Sequence, residues 1–144
     1  MSRLTETVLA EKVSAIERHL ARVAERLPET PEDFEPSTDA SDAVILHLWQ
    51  AVQLVIDTAV SACVRFDFGT PPTYGDAFRR LAEAGVLEAP LAERLARAAG
   101  FRNVVVHGYE SLDLERIHRS AREGPADLRA FLAAIGEALR RSLG

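Results

Sequence analysis

Residues 42–65, Asp-Ala-Val-Ile-Leu-His-Leu-Trp-Gln-Ala-Val-Gln-Leu-Val-Ile-Asp-Thr-Ala-Val-Ser-Ala-Cys-Val-Arg, carry Asp57 as the one formal charge between their two ends. A helix this poor in charge has almost no solvated face to offer, so it is expected to be buried on most sides. Leu48, Trp49, Val52, Val55, Ile56 and Val60 mark it as the core helix, or the dimer-contact helix, of a larger assembly. Asp39 or Ser41 is placed to cap its start, and its end is expected near Phe66. Cys63 falls inside the same run and reads as a small core residue.

Working outward, both flanks carry helical periodicity broken by glycine and proline. Upstream, Leu4, Val8, Val13, Ile16, Leu20, Val23 and Leu27 form an amphipathic stripe. Pro28, Pro31 and Pro36 then impose a loop rich in Glu and Asp. Downstream, Gly69-Thr70-Pro71-Pro72 breaks the chain, and Thr73 with Asp76 resembles a capping box that opens a short helix ending near Gly85. A fourth helix is expected from about Pro90 to His107, where Gly100 marks a kink or a close helix contact. Leu112-Asp113-Leu114-Glu115 starts the final helical stretch, expected to be interrupted or bent at Gly124-Pro125 and to end near Leu143. No segment alternates like a strand. The expected fold class is all-α: one domain over residues 1–144, an up-and-down bundle of four to five helices with mostly short connections.

Composition narrows the function classes. The chain has 144 residues, enough for one domain that buries about two-thirds of its unfolded surface. No apolar run reaches about 18 residues without a polar interruption, so a membrane span is not expected. Met1-Ser2-Arg3-Leu4-Thr5-Glu6 is charged and helix-like rather than a signal peptide. The single cysteine excludes an internal disulfide and supplies no zinc cluster, which places the chain by default in a reducing cytoplasm. A net charge of −5 argues against a non-specific nucleic-acid coat but leaves room for a cationic cleft. Arginine supplies every basic residue except Lys12. Arg79, Arg80, Arg94 and Arg97 gather ahead of Arg102, either as a solvated surface or as the lining of a phosphate groove.

The chemistry concentrates in Arg102-Asn103-Val104-Val105-Val106-His107-Gly108-Tyr109. Arginine grips phosphate with a planar fork of donors, and histidine moves protons near neutral pH. At about 100° per residue, Arg102 and Tyr109 lie roughly 700° apart and share a face, whereas His107 lies roughly 140° from Arg102. A continuous helix therefore does not focus all three on one point. Either the chain breaks near Gly108, or the groups meet across a two-fold interface. His19, His47 and His118 lie far from this stretch and read as surface or core-edge residues, and no metal site or cofactor is implied.

The spacing of Arg102, His107 and Tyr109 resembles the R-x(4–6)-H-x-Y signature of the HEPN superfamily. Pro72-Thr73-Tyr74-Gly75-Asp76-Ala77-Phe78, Leu81-Ala82-Glu83-Ala84-Gly85-Val86-Leu87, Leu91-Ala92-Glu93-Arg94-Leu95 and Ala99-Gly100-Phe101-Arg102-Asn103 look like its HepT-like branch. The resemblance covers roughly residues 40–140. It implies a HEPN-like helical bundle and a metal-independent endoribonuclease, with Arg102 and His107 central to a homodimeric site. It also implies the toxin role of a toxin–antitoxin pair. The partner would be a minimal nucleotidyltransferase antitoxin that uses ATP to adenylylate Tyr109. Asn103 is expected to orient His107 or the phosphate, and Arg79, Arg80, Arg94 and Arg97 to contact RNA. Two other classes stay open: a non-catalytic helical binding subunit of a nucleotidyltransferase complex, and a purely structural helical dimer.

Overall fold

The computed structural model describes residues 3–108 and 113–143 and forms five α-helices. They are α1 (Glu6–Arg26), α2 (Asp39–Arg65), α3 (Tyr74–Glu83), α4 (Ala89–Gly108) and α5 (Leu114–Leu143), with a 3-10 turn at Pro31–Asp33. No strand occurs among the described residues, as the absence of alternation in the sequence predicts.

The charge-poor helix α2 is central and touches each of the other four. By length and composition it could cross a bilayer, with a mean hydropathy of 1.5 over its most apolar window, but half of that window is buried inside the protein. Val55, Ile56, Ala59, Ala62 and Cys63 face the main core, joined by Ile16 and Leu20 of α1, Phe78 and Leu81 of α3, Leu95 of α4, and Phe131 and Ile135 of α5. The rings of Phe78 and Phe131 meet edge-on with centroids 5.6 Å apart. Each such buried side chain contributes about 1.5–3 kcal/mol. A second cluster joins Val23, Phe34, Val44, Ile45, Leu48, Ile117 and Ala121.

The helix ends show where local chemistry differs from expectation. The N-cap of α2 is Thr38, not Asp39 or Ser41. The Ser41 amide donates to Thr38 Oγ1 at 3.1 Å while the Thr38 amide donates to Ser41 Oγ at 3.1 Å, a reciprocal box built from two hydroxyls. Thr73 caps α3 as predicted, its Oγ1 accepting from the Asp76 amide. The Asp76 carboxylate, however, lies 3.6 Å from Arg79 and pairs with it. Gly85, at φ +82°, ends that helix in the left-handed region.

Three expectations are corrected. First, α5 runs unbroken through Gly124-Pro125. Proline removes one backbone hydrogen bond and crowds the carbonyl four residues earlier. Ala121 before it and Leu128, Phe131, Leu132 and Ile135 after it are all buried, so tertiary contacts on both sides outweigh that local cost. Second, Gly100 makes no close helix contact: α4 is continuous through it, and a Cβ there would meet nothing within 4 Å. Third, of the surface and core-edge readings of His118, its 4% exposure excludes the surface one. Its Nε2–H donates to the Pro28 carbonyl at 2.7 Å. Arg122, one turn on, donates to the Pro28 and Glu29 carbonyls at 3.3 and 3.0 Å. Two α5 side chains thereby fasten the exit from α1.

His19 on α1 and His47 on α2 do find a partner in each other, Nδ1 to Nδ1 at 3.0 Å, with ring centroids 5.2 Å apart. One nitrogen must donate and the other accept, so both rings cannot be fully protonated in this geometry. Burial first, then the nearby His47 and Arg18, holds His19 below its usual range. The unfolded chain, titrating near about pH 6.5, therefore takes up the proton more readily. The stability contributed by His19 is present above that pH and is lost as pH falls through it toward the lower folded value. The melting temperature should accordingly fall from about pH 7 to about pH 5, and His47→Gln should flatten that slope. Carboxylates act lower: Glu17, pulled down by the hydrogen bond from Arg129, matters only below its unfolded value of about 4.3. An equally steep slope in His47→Gln would remove the pair as the cause.

Candidate active site

Arg102 sits where α2, α3 and α4 meet, and it is half-buried there. Its Nε–H donates to Gln53 Oε1 at 2.8 Å. Its Nη1 donates to Asn103 Oδ1 at 3.2 Å. Below the guanidinium lies the Tyr74 ring at the first turn of α3, with its centroid 5.6 Å from Arg102 Cζ. Gln53 is itself held: its Nε2 donates to Asp57 Oδ1 at 3.0 Å, one helical turn along α2. A guanidinium offers five N–H groups, and among the described residues Gln53 and Asn103 take two of them. Guanidinium donors of this kind suit an oxyanion.

Of the residues singled out from sequence, Arg102 and Asn103 are therefore in direct contact. His107 stands on α4, which continues to Gly108, so positions 102 and 107 are separated by about 140° around the helix axis. The His107 side chain and Tyr109 lie outside the described residues. Gln53, Asp57 and Tyr74 are site neighbours that sequence reasoning did not select. A signal was present for the first two: Asp57 is the one charge within an apolar helix, and Gln53 is a polar side chain four residues earlier on the same face.

The four arginines expected to touch RNA are placed in different surroundings. Arg79 bridges α3 to α4 through Glu93 at 2.9 Å. That hydrogen bond and charge, with Asp76 adding to them, raise the Arg79 pKa further. Arg94 Nε reaches both Asp127 oxygens, at 3.1 and 3.2 Å, tying α4 to α5. Arg80 Nη1 donates to the Phe68 carbonyl at 3.0 Å and steadies the α2–α3 connection. Arg97 is exposed on α4, about 140° around the helix from Arg102. Exposed ion pairs of this kind contribute little stability, but they do occupy the charges.

No group of three or more His, Cys, Asp or Glu side chains gathers as metal ligands among the described residues. A cavity of about 560 Å³ lies elsewhere, between the end of α2 and the end of α5, lined by Arg65, Phe66, Phe68, Gly85 and Arg141 among others. It shares no residue with the Arg102 site.

A family model described as ribonuclease HepT-like matches residues 16–135. An mRNA nuclease HepT from Shewanella oneidensis is 26% identical over 128 residues, covering 89% of this chain and 96% of that protein. A solved structure of a tri-AMPylated Shewanella oneidensis HEPN toxin in complex with an MNT antitoxin superposes with a TM-score of 0.82 at 25% identity, covering 92% of this chain and 98% of the other. A toxin–antitoxin structure with AMP-PNP gives the same TM-score of 0.82 at 25% identity, covering 90% of this chain and 98% of its match.

Proposed function

The chain belongs to the HepT-like ribonuclease family, and from that premise we propose that it is the toxin of a toxin–antitoxin pair. It acts as a metal-independent endoribonuclease and is silenced when a partner nucleotidyltransferase adenylylates Tyr109. The observation that carries this reading is Arg102 itself. Its guanidinium is half-buried and oriented by two acceptors, and its donors suit phosphate.

In the reaction, the ribose 2′-hydroxyl attacks the adjacent phosphorus while the bond to the 5′ oxygen of the next nucleotide breaks. Negative charge grows on the non-bridging oxygens, where Arg102 donates. His107 handles the proton at the attacking or leaving oxygen. The nucleophile is part of the substrate, so neither a metal nor a covalent enzyme intermediate is needed. Asn103 supports Arg102 through its Oδ1. Arg97 is the best of the four arginines for an outer phosphate, since the other three already have protein acceptors.

We infer a homodimeric site because one copy spreads positions 102 and 107 around α4, and a two-fold partner can bring the missing group across. Leu46 and Val64, apolar side chains 49% and 46% exposed on helix α2, suit such a contact. The cytoplasm, where RNA and ATP meet, is the compartment this activity requires.

The test is cleavage of RNA by the purified protein with and without a chelator. The expected result is equal rates and fragments ending in 2′,3′-cyclic phosphate. Loss of cleavage in chelator, restored by added magnesium, would overturn the metal-independent mechanism.

A further inference from the structure

We propose that Gln53 and Tyr74 are positioning residues that hold the Arg102 guanidinium ready for phosphate, with Asp57 fixing the orientation of Gln53; this rests on the ribonuclease reading of the site. Gln53 joins α2 to α4 through its bond to Arg102 Nε. Asp57 takes the other end of the amide, so turning the amide over would forfeit both hydrogen bonds. The Tyr74 ring closes the face below, an arrangement that attracts a guanidinium through the ring quadrupole. Arginine has a long, rotamer-rich side chain, and left alone it would sample many directions. Three contacts from three helices remove that freedom before substrate arrives.

The choice of an amide at position 53 is chemically pointed. A carboxylate there would orient Arg102 equally well, but it would neutralise the charge and compete with phosphate for the fork. The neutral Gln53 oxygen directs Nε without quenching the cation. Asp57, the nearest formal negative charge on that helix, is kept one residue removed from the guanidinium. Orientation and charge are thereby separated onto two side chains.

The experiment uses the full chain and a defined RNA, comparing wild type with Gln53→Met, Gln53→Glu, Tyr74→Leu, Tyr74→Phe and Arg102→Ala. Circular dichroism and melting confirm folding of each. Gln53→Met should lower kcat by about 10–100-fold, the scale of a small misplacement of a transition-state donor. KM should change much less. Gln53→Glu should lose activity and bind RNA more weakly, although it preserves an acceptor for Nε. Tyr74→Phe should exceed Tyr74→Leu in kcat, because the ring rather than the hydroxyl is the contact. Adding Gln53→Met to Arg102→Ala should cost nothing further, since the residue acts through Arg102. In parallel, the Arg102 Nε–H resonance should be protected from exchange in wild type and unprotected in Gln53→Met.

Wild-type kcat in Gln53→Met, or a double variant clearly worse than Arg102→Ala, overturns the positioning role. If Arg102→Ala itself cleaves normally while Nε–H protection still depends on Gln53, the ribonuclease reading of the site falls and the contact stands.

Discussion

Arg102→Ala should lower RNA cleavage by about 10²–10³-fold, the loss that follows removal of one donor aimed at developing transition-state charge. Its side chain is half-buried at the edge of the core and its partners are polar. The helical circular dichroism and the melting temperature should therefore stay close to wild type. The effect should appear in kcat as well as in kcat/KM, because the charge Arg102 meets is greater in the transition state than in the substrate. Arg102→Lys should rescue little: an ammonium is a point charge without the planar fork, and it has no Nε for Gln53 to hold. His107→Ala should cost about 10²–10⁴-fold, the range for a positioned acid–base group. Cleavage at the wild-type rate in either alanine variant removes that residue from the mechanism, and loss of helicity points instead to a structural role.

Adenylylation of Tyr109 should abolish the activity almost completely. In the proposed transfer, the Tyr109 phenolic oxygen would attack the α-phosphorus of ATP on the partner enzyme; an O–P bond would form and pyrophosphate would leave. Each adenylyl group adds a phosphodiester charge and a bulky base seven residues after Arg102. The new phosphate should compete for the same guanidinium that the RNA phosphate needs, by the logic that governs other phosphate-bearing modifications. Co-expression with the partner nucleotidyltransferase should raise the intact mass in whole adenylate steps that map to Tyr109. Ribonuclease activity and growth inhibition should disappear together. If the partner still neutralises a Tyr109→Phe variant that is toxic alone, inhibition proceeds by binding and the modification is not the switch.

The fold was largely legible because its strongest signal is compositional. A helix with one internal charge had to be central, and α2 is. Helix boundaries were legible wherever proline or glycine coincided with a cap, as at Thr73 and Gly85. They were misread where distant contacts decide. Pro125 carries a local penalty, but the buried residues on both sides of it keep α5 continuous. Gly100 has a local meaning that the open space around it does not use. His118 gave no sign in the sequence that a carbonyl 90 residues earlier would claim it.

The candidate site divides in the same way. Arg102, His107 and Tyr109 could be read along the chain because they lie within eight residues of one another. Gln53 and Tyr74 reach Arg102 from α2 and α3, and that convergence exists only after folding. The arginine cluster shows the opposite limit. Gathered within sixteen residues of sequence, Arg79, Arg80 and Arg94 diverge in space toward Glu93, Phe68 and Asp127.

The central place of α2 has a consequence for the chain as it is made. Synthesis delivers α2 before α3, α4 and α5 exist to cover it. Phe131, Leu132 and Ile135, which close the main core, arrive some seventy residues later. Throughout that interval the nascent chain displays its most apolar helix to the cell, the condition that recruits chaperones and favours aggregation. A chain that stops before α5 lacks Phe131, Leu132 and Ile135 from its main core, so it should aggregate or be degraded rather than cleave RNA, which expression of residues 1–113 and a solubility assay would check.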